Sequence, residues 1–131
     1  MIKIITYGTF DLFHYGHLEI LRRAKEFGDY LIVGVSSDDF NKNKNKNCVY
    51  TDKHRMAIVN SIKYVDKVIP ELNWDQKKND IIKNNVDILV MGNDWKGKFD
   101  HLNNICDVKY LSRTKGVSTT GIKKNIKNFE Y

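Results

Sequence analysis

Two histidines three residues apart, His14 and His17, are the side chains best suited to chemistry in this chain. They belong to the segment Tyr-Gly-Thr-Phe-Asp-Leu-Phe-His-Tyr-Gly-His at residues 7–17, which joins an apolar run to a helical pattern. Beside a helix N-terminus, imidazole N–H groups can donate to an anion, and Gly16 lets that anion approach the backbone. The spacing also permits a metal pair, but no neighbouring array of cysteines or carboxylates completes a metal site. The segment therefore predicts an anion-binding centre.

A second polar cluster, Ser-Arg-Thr-Lys-Gly-Val-Ser-Thr-Thr at residues 112–120, precedes the last helical pattern. Arg113 offers a planar fork of N–H donors that matches phosphate oxygens. Ser118 and Thr119 supply hydroxyl groups, and one of them is expected to cap the helix, whose free N–H groups point in the same direction. Capping and anion binding are compatible, so this cluster predicts phosphate binding.

Apolar runs and helical patterns alternate along the chain, and both clusters fall where strands end. Short apolar runs predict five strands, at residues 2–6, 29–36, 64–69, 86–91 and 108–111, with Pro70 stopping the third. Helices are predicted from Leu18 to a glycine stop at Gly28, from a Thr51 cap through Ile62, over residues 74–85 with Ile81 and Ile82 inward, and over residues 122–129. Residues 41–47, which alternate asparagine and lysine, predict a solvated loop.

The alternation of predicted strands and helices along the chain predicts an α/β fold, a Rossmann-like three-layer sandwich around a five-stranded parallel sheet. In such sheets ligands bind beyond the carboxyl ends of the strands, which is where the polar clusters lie. With 131 residues, the chain is expected to form one domain over residues 1–131, without room for a separate nucleic-acid domain.

The composition narrows the classes of function that fit. The apolar runs are too short to span a membrane, and the first residues lack a signal-peptide pattern, so we expect a cytoplasmic protein with no membrane partner. The two cysteines, Cys48 and Cys106, are expected to be reduced. The net charge of +6 fits an anionic partner, although charge alone does not distinguish a nucleotide from a nucleic acid.

With these motifs, the chain resembles the cytidylyltransferase branch of the nucleotidyltransferase superfamily (HxGH type), and within it the bacterial glycerol-3-phosphate cytidylyltransferases. The His-x-Gly-His element is shared with adenylyltransferases and class I aminoacyl-tRNA synthetases, whereas Arg-Thr-x-Gly-x-Ser-Thr-Thr at residues 113–120 is much more specific. Further matches along the chain are Lys44 and Lys46, His54-Arg55, Tyr64-Val65-Asp66, Val68-Ile69-Pro70-Glu71, Trp74, Met91-Gly92, Asp94-Trp95 and Gly97-Lys98-Phe99-Asp100. The resemblance covers nearly the whole chain.

The resemblance implies transfer of CMP from CTP to a phosphorylated small molecule, with release of pyrophosphate. The expected acceptor is sn-glycerol 3-phosphate, which gives CDP-glycerol for teichoic acid or capsule synthesis; phosphoethanolamine or a phosphorylated glutamine is the alternative. A phosphate monoester has a second pKa of about 6, so its oxygen is already an anion at neutral pH and needs no general base. Mg²⁺ is expected because it neutralises the leaving pyrophosphate. A homodimer is also implied.

The resemblance assigns roles to individual residues. His14, His17, Lys44, Lys46 and Arg113 would be catalytic, stabilising charge on the phosphates. CTP would be bound by Thr9, Phe10, Gly16, Asp94, Arg113, Thr114, Ser118 and Thr119, with Asp94 accepting from the cytosine amino group. The acceptor would be bound by Lys44, Arg55, Lys63 and Trp74. Asp11 would orient its neighbours or be a carboxylate on the magnesium side, and no other metal ligand is expected.

Two positions depart from the family's pattern. Lys63 stands where the family usually has arginine, and Asn93 where an acidic residue is common. Lysine cannot reproduce bidentate recognition by guanidinium, so a contact between Lys63 and the acceptor phosphate would favour a different acceptor. Equally, Lys63 retains the charge and is compatible with the same substrate.

A different class of function is also compatible with the basic charge, namely a nucleotide- or nucleic-acid-binding module without catalysis. The chain lacks a basic-aromatic surface pattern, however, and no nucleic-acid partner is expected.

Overall fold

The computed structural model describes residues 1–129, which form five strands and five α-helices. The strands are β1 (Lys3–Gly8), β2 (Tyr30–Ser36), β3 (Lys67–Glu71), β4 (Ile88–Gly92) and β5 (Asp107–Leu111). The helices are α1 (Tyr15–Lys25), α2 (Asp38–Asn43), α3 (Asp52–Asn60), α4 (Gln76–Lys83) and α5 (Thr119–Lys127), with short 3-10 segments at Asn93–Trp95 and Asp100–Asn104. Residues 130 and 131 of the predicted domain lie outside the described residues.

The five strands form one parallel sheet in the order β3-β2-β1-β4-β5. The chain moves outward from β1 to β3 and then returns to place β4 on the other side of β1. The direction of winding therefore reverses between β1 and β4, which is the position where parallel α/β sheets bind ligands. The predicted Rossmann-like sandwich with a five-stranded parallel sheet is confirmed.

Hydrophobic cores on the two faces of the sheet hold the helices in place. One core packs Ile4 of β1 against Leu21 of α1 and Val59 of α3. The other packs Ile5 of β1 near Ile81 of α4. Because successive side chains of a strand point to opposite faces, β1 anchors both layers. Within residues 1–129, no helix is both long enough and apolar enough to cross a bilayer.

The prediction that Pro70 ends the third strand is wrong, because Pro70 lies inside β3. It is paired in register with Val35, and the strand continues to Glu71. The Glu71 carbonyl accepts from the Ser37 N–H on the β2 side, whereas the Pro70 carbonyl accepts from the Gln76 side chain. A residue without an N–H is tolerated here because β3 is an edge strand, with an outer side that needs no donor.

The predicted solvated loop at residues 41–47 is shorter in the structure. Residues 41–43 belong to α2, and Asn41 is buried. Ser37 caps this helix by accepting from the Phe40 N–H, and the buried Phe40 ring anchors it. A capped and anchored turn outweighs the polar composition, so the solvated part begins near Lys44.

Two helix details also differ from prediction. Ile82 is 55% exposed, whereas Ile81 is buried, because neighbouring residues of a short helix do not share its inward stripe. Helix α1 is capped at Glu26 in an ordinary helical conformation, so Gly28 is not its stop. Gly28 instead allows a close approach, since an added Cβ would lie 2.6 Å from Cδ1 of Ile4.

Candidate active site

A pocket of about 550 Å³ lies beyond the carboxyl ends of β1 and β4, at the reversal of the strand order. Its walls come from the β1–α1 loop, the start of α1, the segment before α5 and residues 44–47, here called the lysine segment. Fourteen of the predicted site residues line it: Thr9, Phe10, Asp11, His14, Gly16, His17, Lys44, Lys46, Trp74, Asp94, Arg113, Thr114, Ser118 and Thr119. The structure thus brings both sequence clusters into one cavity.

Arg55 and Lys63 do not line this pocket. Arg55 is fully buried behind it, where its guanidinium donates to the carbonyls of Thr9 at 2.8 Å and Ser36 at 2.7 Å and pairs with Asp38. Arg55 therefore holds the ends of β1 and β2, which accounts for its burial without a direct contact to an acceptor. Lys63 is exposed before β3 begins, at the edge of the sheet opposite the pocket.

The two histidines form a capping box at the start of α1. Nδ1 of His14 accepts the Gly16 N–H at 3.0 Å, and Nδ1 of His17 accepts the His14 N–H at 3.2 Å. A neutral imidazole that accepts at Nδ1 carries its proton on Nε2, so the cap sets the tautomer of both rings. Gly16 is needed for this geometry, because an added Cβ would lie 2.9 Å from Cε1 of His14. Both histidines are thereby left with an Nε2–H donor.

Burial keeps this histidine pair uncharged. The rings of His14 and His17 stack with centroids 3.8 Å apart, and Phe10 and Phe13 pack around His17 at 5.4 and 5.3 Å. Burial lowers the pKa of His17 to about 4, with the charge of His14 adding to the effect, and burial also lowers the pKa of His14. At neutral pH the pair therefore offers two uncharged donors beside the N-terminus of α1.

Asp11 links three parts of the pocket wall. Its carboxylate accepts the N–H groups of Val49 at 2.7 Å and Tyr50 at 2.9 Å, and Nζ of Lys123 lies 3.5 Å away. Burial opposes its ionisation, but these backbone donors and Lys123 lower the pKa of Asp11 overall. Its carbonyl accepts from the hydroxyl of Thr119 at 3.0 Å. The β1–α1 loop is therefore tied both to α5 and to the chain just after the lysine segment.

Lys44 lies over aromatic rings at the inner end of the lysine segment. Its Nζ is 4.2 Å from the ring centroid of Phe40 and 5.4 Å from that of Trp74. Burial lowers the pKa of Lys44, while Glu71 acts in the opposite direction and Lys46 adds to the lowering. The ammonium group is therefore held at the pocket wall by the faces of aromatic rings.

A buried ion pair between Glu71 and Lys77 was missed by sequence reasoning. Nζ of Lys77 lies 2.6 Å from Oε2 of Glu71, and their side chains are 4% and 5% exposed. Both residues line the pocket. A signal was present, because Lys77 is four residues before Ile81 and so shares the inward face of α4. Lysine on an amphipathic pattern is ordinarily assigned to the solvent side, which hid it.

The opposite end of the pocket carries an exposed ion pair. Nη2 of Arg113 lies 2.6 Å from Oδ2 of Asp94, with side chains 68% and 58% exposed. Exposed pairs contribute about 0–1 kcal/mol, so a nucleotide can separate them at little cost. Ser118 is the N-cap of α5 and accepts from the Gly121 N–H at 2.9 Å, which confirms the predicted cap.

Residues 5–125 match the family model described as cytidylyltransferase-like. The chain belongs to this family. It is 57% identical over 126 residues to the glycerol-3-phosphate cytidylyltransferase of Bacillus subtilis (strain 168), covering 96% of this chain and 98% of that protein. It is 55% identical over 126 residues to the enzyme of the same name from Staphylococcus aureus (strain NCTC 8325 / PS 47), covering 96% of each.

A solved structure shares the fold of this cytidylyltransferase-like chain. The lipopolysaccharide core biosynthesis protein from Thermoplasma volcanium GSS1 superimposes with a TM-score of 0.76 at 27% identity, over 88% of this chain and 99% of that one. The resemblance read from the motifs is confirmed at the level of the family.

A magnesium site built from protein ligands does not fit the residues of the cytidylyltransferase-like pocket. Among residues 1–129, no group of three or more His, Cys, Asp or Glu side chains is arranged to hold a metal ion. Asp11, the predicted carboxylate on the magnesium side, already accepts two backbone N–H groups and faces Lys123. Its contacts match the orienting role that was the other prediction for it.

Proposed function

We propose that this protein transfers CMP from CTP to sn-glycerol 3-phosphate, forming CDP-glycerol and pyrophosphate for a cell-surface polymer such as teichoic acid or capsule. The relatives from B. subtilis and S. aureus carry the name of this activity and match over nearly their full length. The geometric observation that carries the proposal is the single pocket in which the histidine pair, the lysine segment and the Arg113 segment meet.

The reaction exchanges one bond at the α-phosphorus of CTP for another. An oxygen of the acceptor phosphate bonds to this phosphorus, and the bond from the phosphorus to the oxygen bridging to the β-phosphate breaks. That oxygen leaves as part of pyrophosphate. Because the acceptor oxygen is already an anion at neutral pH, the site has only to position two polyanions and stabilise the developing charge.

Uncharged histidines suit this task because their N–H groups can approach the phosphate together without mutual repulsion. The Nε2–H groups of His14 and His17, beside the N-terminus of α1, would donate to the transferring phosphate. Arg113 and the N-terminus of α5, capped by Ser118, would hold the β- and γ-phosphates. Asp94 would accept from the cytosine amino group once Arg113 has turned to the phosphates.

The strand order indicates which end of the pocket receives the acceptor. Asp94 follows β4 and Arg113 follows β5, on one side of β1, so the nucleotide would occupy that end. Lys44 lines the other end, near the end of β3, and is the cation there that is available to an acceptor phosphate, whereas Lys77 beside it is already paired with Glu71. Trp74 lies beside both lysines, and this position supports the acceptor-side role proposed for it.

Magnesium is proposed as the companion of CTP. Mg²⁺ usually keeps several waters and is bound through substrate phosphates, which is compatible with a pocket that lacks a protein-built cage. A homodimer remains a prediction from the resemblance, and a cytoplasmic location remains a prediction from the short apolar runs and the pattern of the first residues.

The direct test measures pyrophosphate release by the purified protein with CTP, Mg²⁺ and a panel of acceptors that includes glycerol 3-phosphate, phosphoethanolamine and a phosphorylated glutamine. We expect release only when all three components are present, with glycerol 3-phosphate the best acceptor and little activity when ATP replaces CTP or a chelator removes the metal. Release from no acceptor would contradict the proposal. Tight, salt-sensitive RNA binding without a CTP-dependent rise in melting temperature would favour the non-catalytic alternative.

A further inference from the structure

We propose that the buried Glu71–Lys77 pair selects acceptors by charge, admitting phosphorylated polyols whose far end is uncharged and rejecting phosphorylated amines. This inference rests on the proposed function and specifies the chemical class of its acceptor. It concerns the end of the pocket beside β3, away from Asp94 and Arg113.

The aromatic rings that would bind a substrate ammonium group already surround one from the protein. Nζ of Lys77 lies 4.5 Å from the ring centroid of Tyr7, 5.1 Å from that of Phe99 and 5.6 Å from that of Trp74. Lys44 occupies the same Trp74 ring at 5.4 Å. Aromatic cages recognise alkylammonium ligands through the negative faces of their rings, and here the protein's own lysines use those faces.

The carboxylates of the pocket are engaged as well. Three acidic side chains line it, and each has a basic partner: Glu71 pairs with Lys77, Asp94 with Arg113, and Asp11 faces Lys123. Two further cations, Lys44 and Lys46 of the lysine segment, line the same cavity. At the β3 end of the pocket, an incoming ammonium group would meet the charges of Lys44 and Lys77, of which Glu71 offsets one, and like charges brought together without compensation are strongly unfavourable.

A hydroxyl group meets no such penalty. A carboxylate offers about four lone-pair sites, so Glu71 can accept from a hydroxyl while it stays paired with Lys77. The pair is also fixed in place, since both side chains are about 95% buried and 2.6 Å apart. An uncharged polyol end is therefore the group that this wall accommodates.

The test uses two acceptors that differ only in this group, 2-hydroxyethyl phosphate and 2-aminoethyl phosphate. Pyrophosphate release with CTP gives kcat/KM for each, and the ratio of the two values is independent of how much active protein is present. We expect the wild-type ratio to favour the hydroxyl compound by about 100-fold, the scale of a poorly compensated charge contact.

Variants of Glu71 and Lys77 test whether this pair causes the difference in kcat/KM between the two acceptors. In the double variant Glu71→Gln with Lys77→Gln, which leaves no unpaired buried charge, the ratio should fall below about 10-fold; in Lys77→Met, which leaves Glu71 unpaired, it should fall further. Lys77→Arg keeps the charge and should keep the ratio. Lys78→Gln, an exposed neighbour on the same helix, is the matched control and should also keep it.

The outcomes separate this inference from the proposed function. A wild-type protein that uses both acceptors equally well overturns charge selection and leaves the cytidylyltransferase reaction standing. Release from neither these acceptors nor glycerol 3-phosphate overturns the proposed function itself. A folded double variant, judged by its melting temperature, that keeps the wild-type ratio shows that selection comes from elsewhere. If a variant does not fold, the ratio of kcat/KM in the wild-type protein still decides whether the pocket selects acceptors by charge.

Discussion

At the scale of single residues, the chemistry proposed for His14 and His17 depends on the helical turn that they begin. Each Nδ1 is engaged by a backbone N–H, so each ring is oriented before any substrate arrives. Donors that are already oriented need no rearrangement when charge develops, which is the main source of electrostatic catalysis. The same hydrogen bonds stabilise α1, and a suitable substitution can separate the two roles.

The substitution His17→Asn separates the catalytic role of His17 from its role in capping α1. The asparagine side chain can place an acceptor near the position of Nδ1, and it has no group at the position of the Nε2–H. We expect the melting temperature to change little and kcat to fall about 10²–10³-fold, the range for loss of one donor to a charged transition state. Pyrophosphate release and thermal unfolding measure the two effects.

The matched control for this substitution is His101→Asn, at an exposed histidine that does not line the pocket. It should leave both kcat and the melting temperature unchanged. A His17→Asn protein with wild-type kcat would remove His17 from the mechanism.

At the scale of secondary-structure elements, Asp11 connects loops that are far apart in the sequence. The β1–α1 loop contacts the chain just after the lysine segment through Val49 and Tyr50, and it contacts α5 through Thr119 and Lys123. Lys123 also donates to the Asn47 carbonyl at 3.0 Å. The position of the lysine segment is therefore coupled to the histidine loop and to the proposed phosphate-binding helix.

Asp11→Ala should loosen the lysine segment. Hydrogen bonds to a charged group contribute about 1.5–3 kcal/mol each, so losing them should make opening of the segment at least ~10-fold more frequent. We expect trypsin to cleave after Lys44 and Lys46 at least ~10-fold faster than in the wild type, with a higher KM for CTP. Mass spectrometry of the first fragments identifies the cleavage sites.

Asp29→Ala is the control for the Asp11 variant, because Asp29 also accepts a backbone N–H, from Ile2, at the other end of the sheet. It should not change the rate of cleavage in the lysine segment. Equal rates for the Asp11 variant and the wild type would show that other contacts hold the segment.

Features encoded by local patterns could be predicted from the sequence. Apolar periodicity identified the order of the five strands and of α1, α3, α4 and α5, although it missed α2, and Ser118 was identified as one of two candidate caps by its place before a helix. The meeting of the His14 and Arg113 clusters followed from a rule of topology, that parallel strands present their carboxyl ends at one edge.

Features that depend on contacts between different elements could not be predicted in this way. Lys77 has the spacing of an inward residue, but its burial depends on Glu71 at the end of a different element, and Pro70 stays in a strand because that strand is at an edge. The enclosure of Arg55 by the carbonyls of Thr9, just after β1, and Ser36, at the end of β2, is likewise a tertiary property. Composition and spacing carry no direct record of such partners.

At the scale of the whole molecule, folding takes the histidine pair out of water, and this links stability to pH. The pKa of His17 is about 4 in the folded protein and about 6.5 in an unfolded chain. Between these values the unfolded chain binds a proton that the folded protein does not bind. Lowering the pH through this range therefore favours the unfolded state.

We expect the free energy of unfolding to fall between about pH 6.5 and pH 4.5, by on the order of 1–2 kcal/mol at pH 5 for His17 alone. Urea denaturation at pH 7.5 and pH 5 measures the change, which should be smaller in His17→Asn. Carboxylates with lowered pKa, such as Asp11, lose their contribution only below about pH 4, outside this range. An equal decline in both proteins would show that His17 is not the group responsible.

Pro70 in β3 affects whether another molecule can add a strand to this edge of the sheet. An open sheet edge is a template on which a strand of another molecule can add, leading to aggregation. Pro70 has no N–H to offer such a strand, and its carbonyl already accepts from Gln76 at 2.9 Å. The exposed Lys67 adds charge at the start of the same edge. The β3 side of the sheet is therefore poorly suited to intermolecular strand pairing.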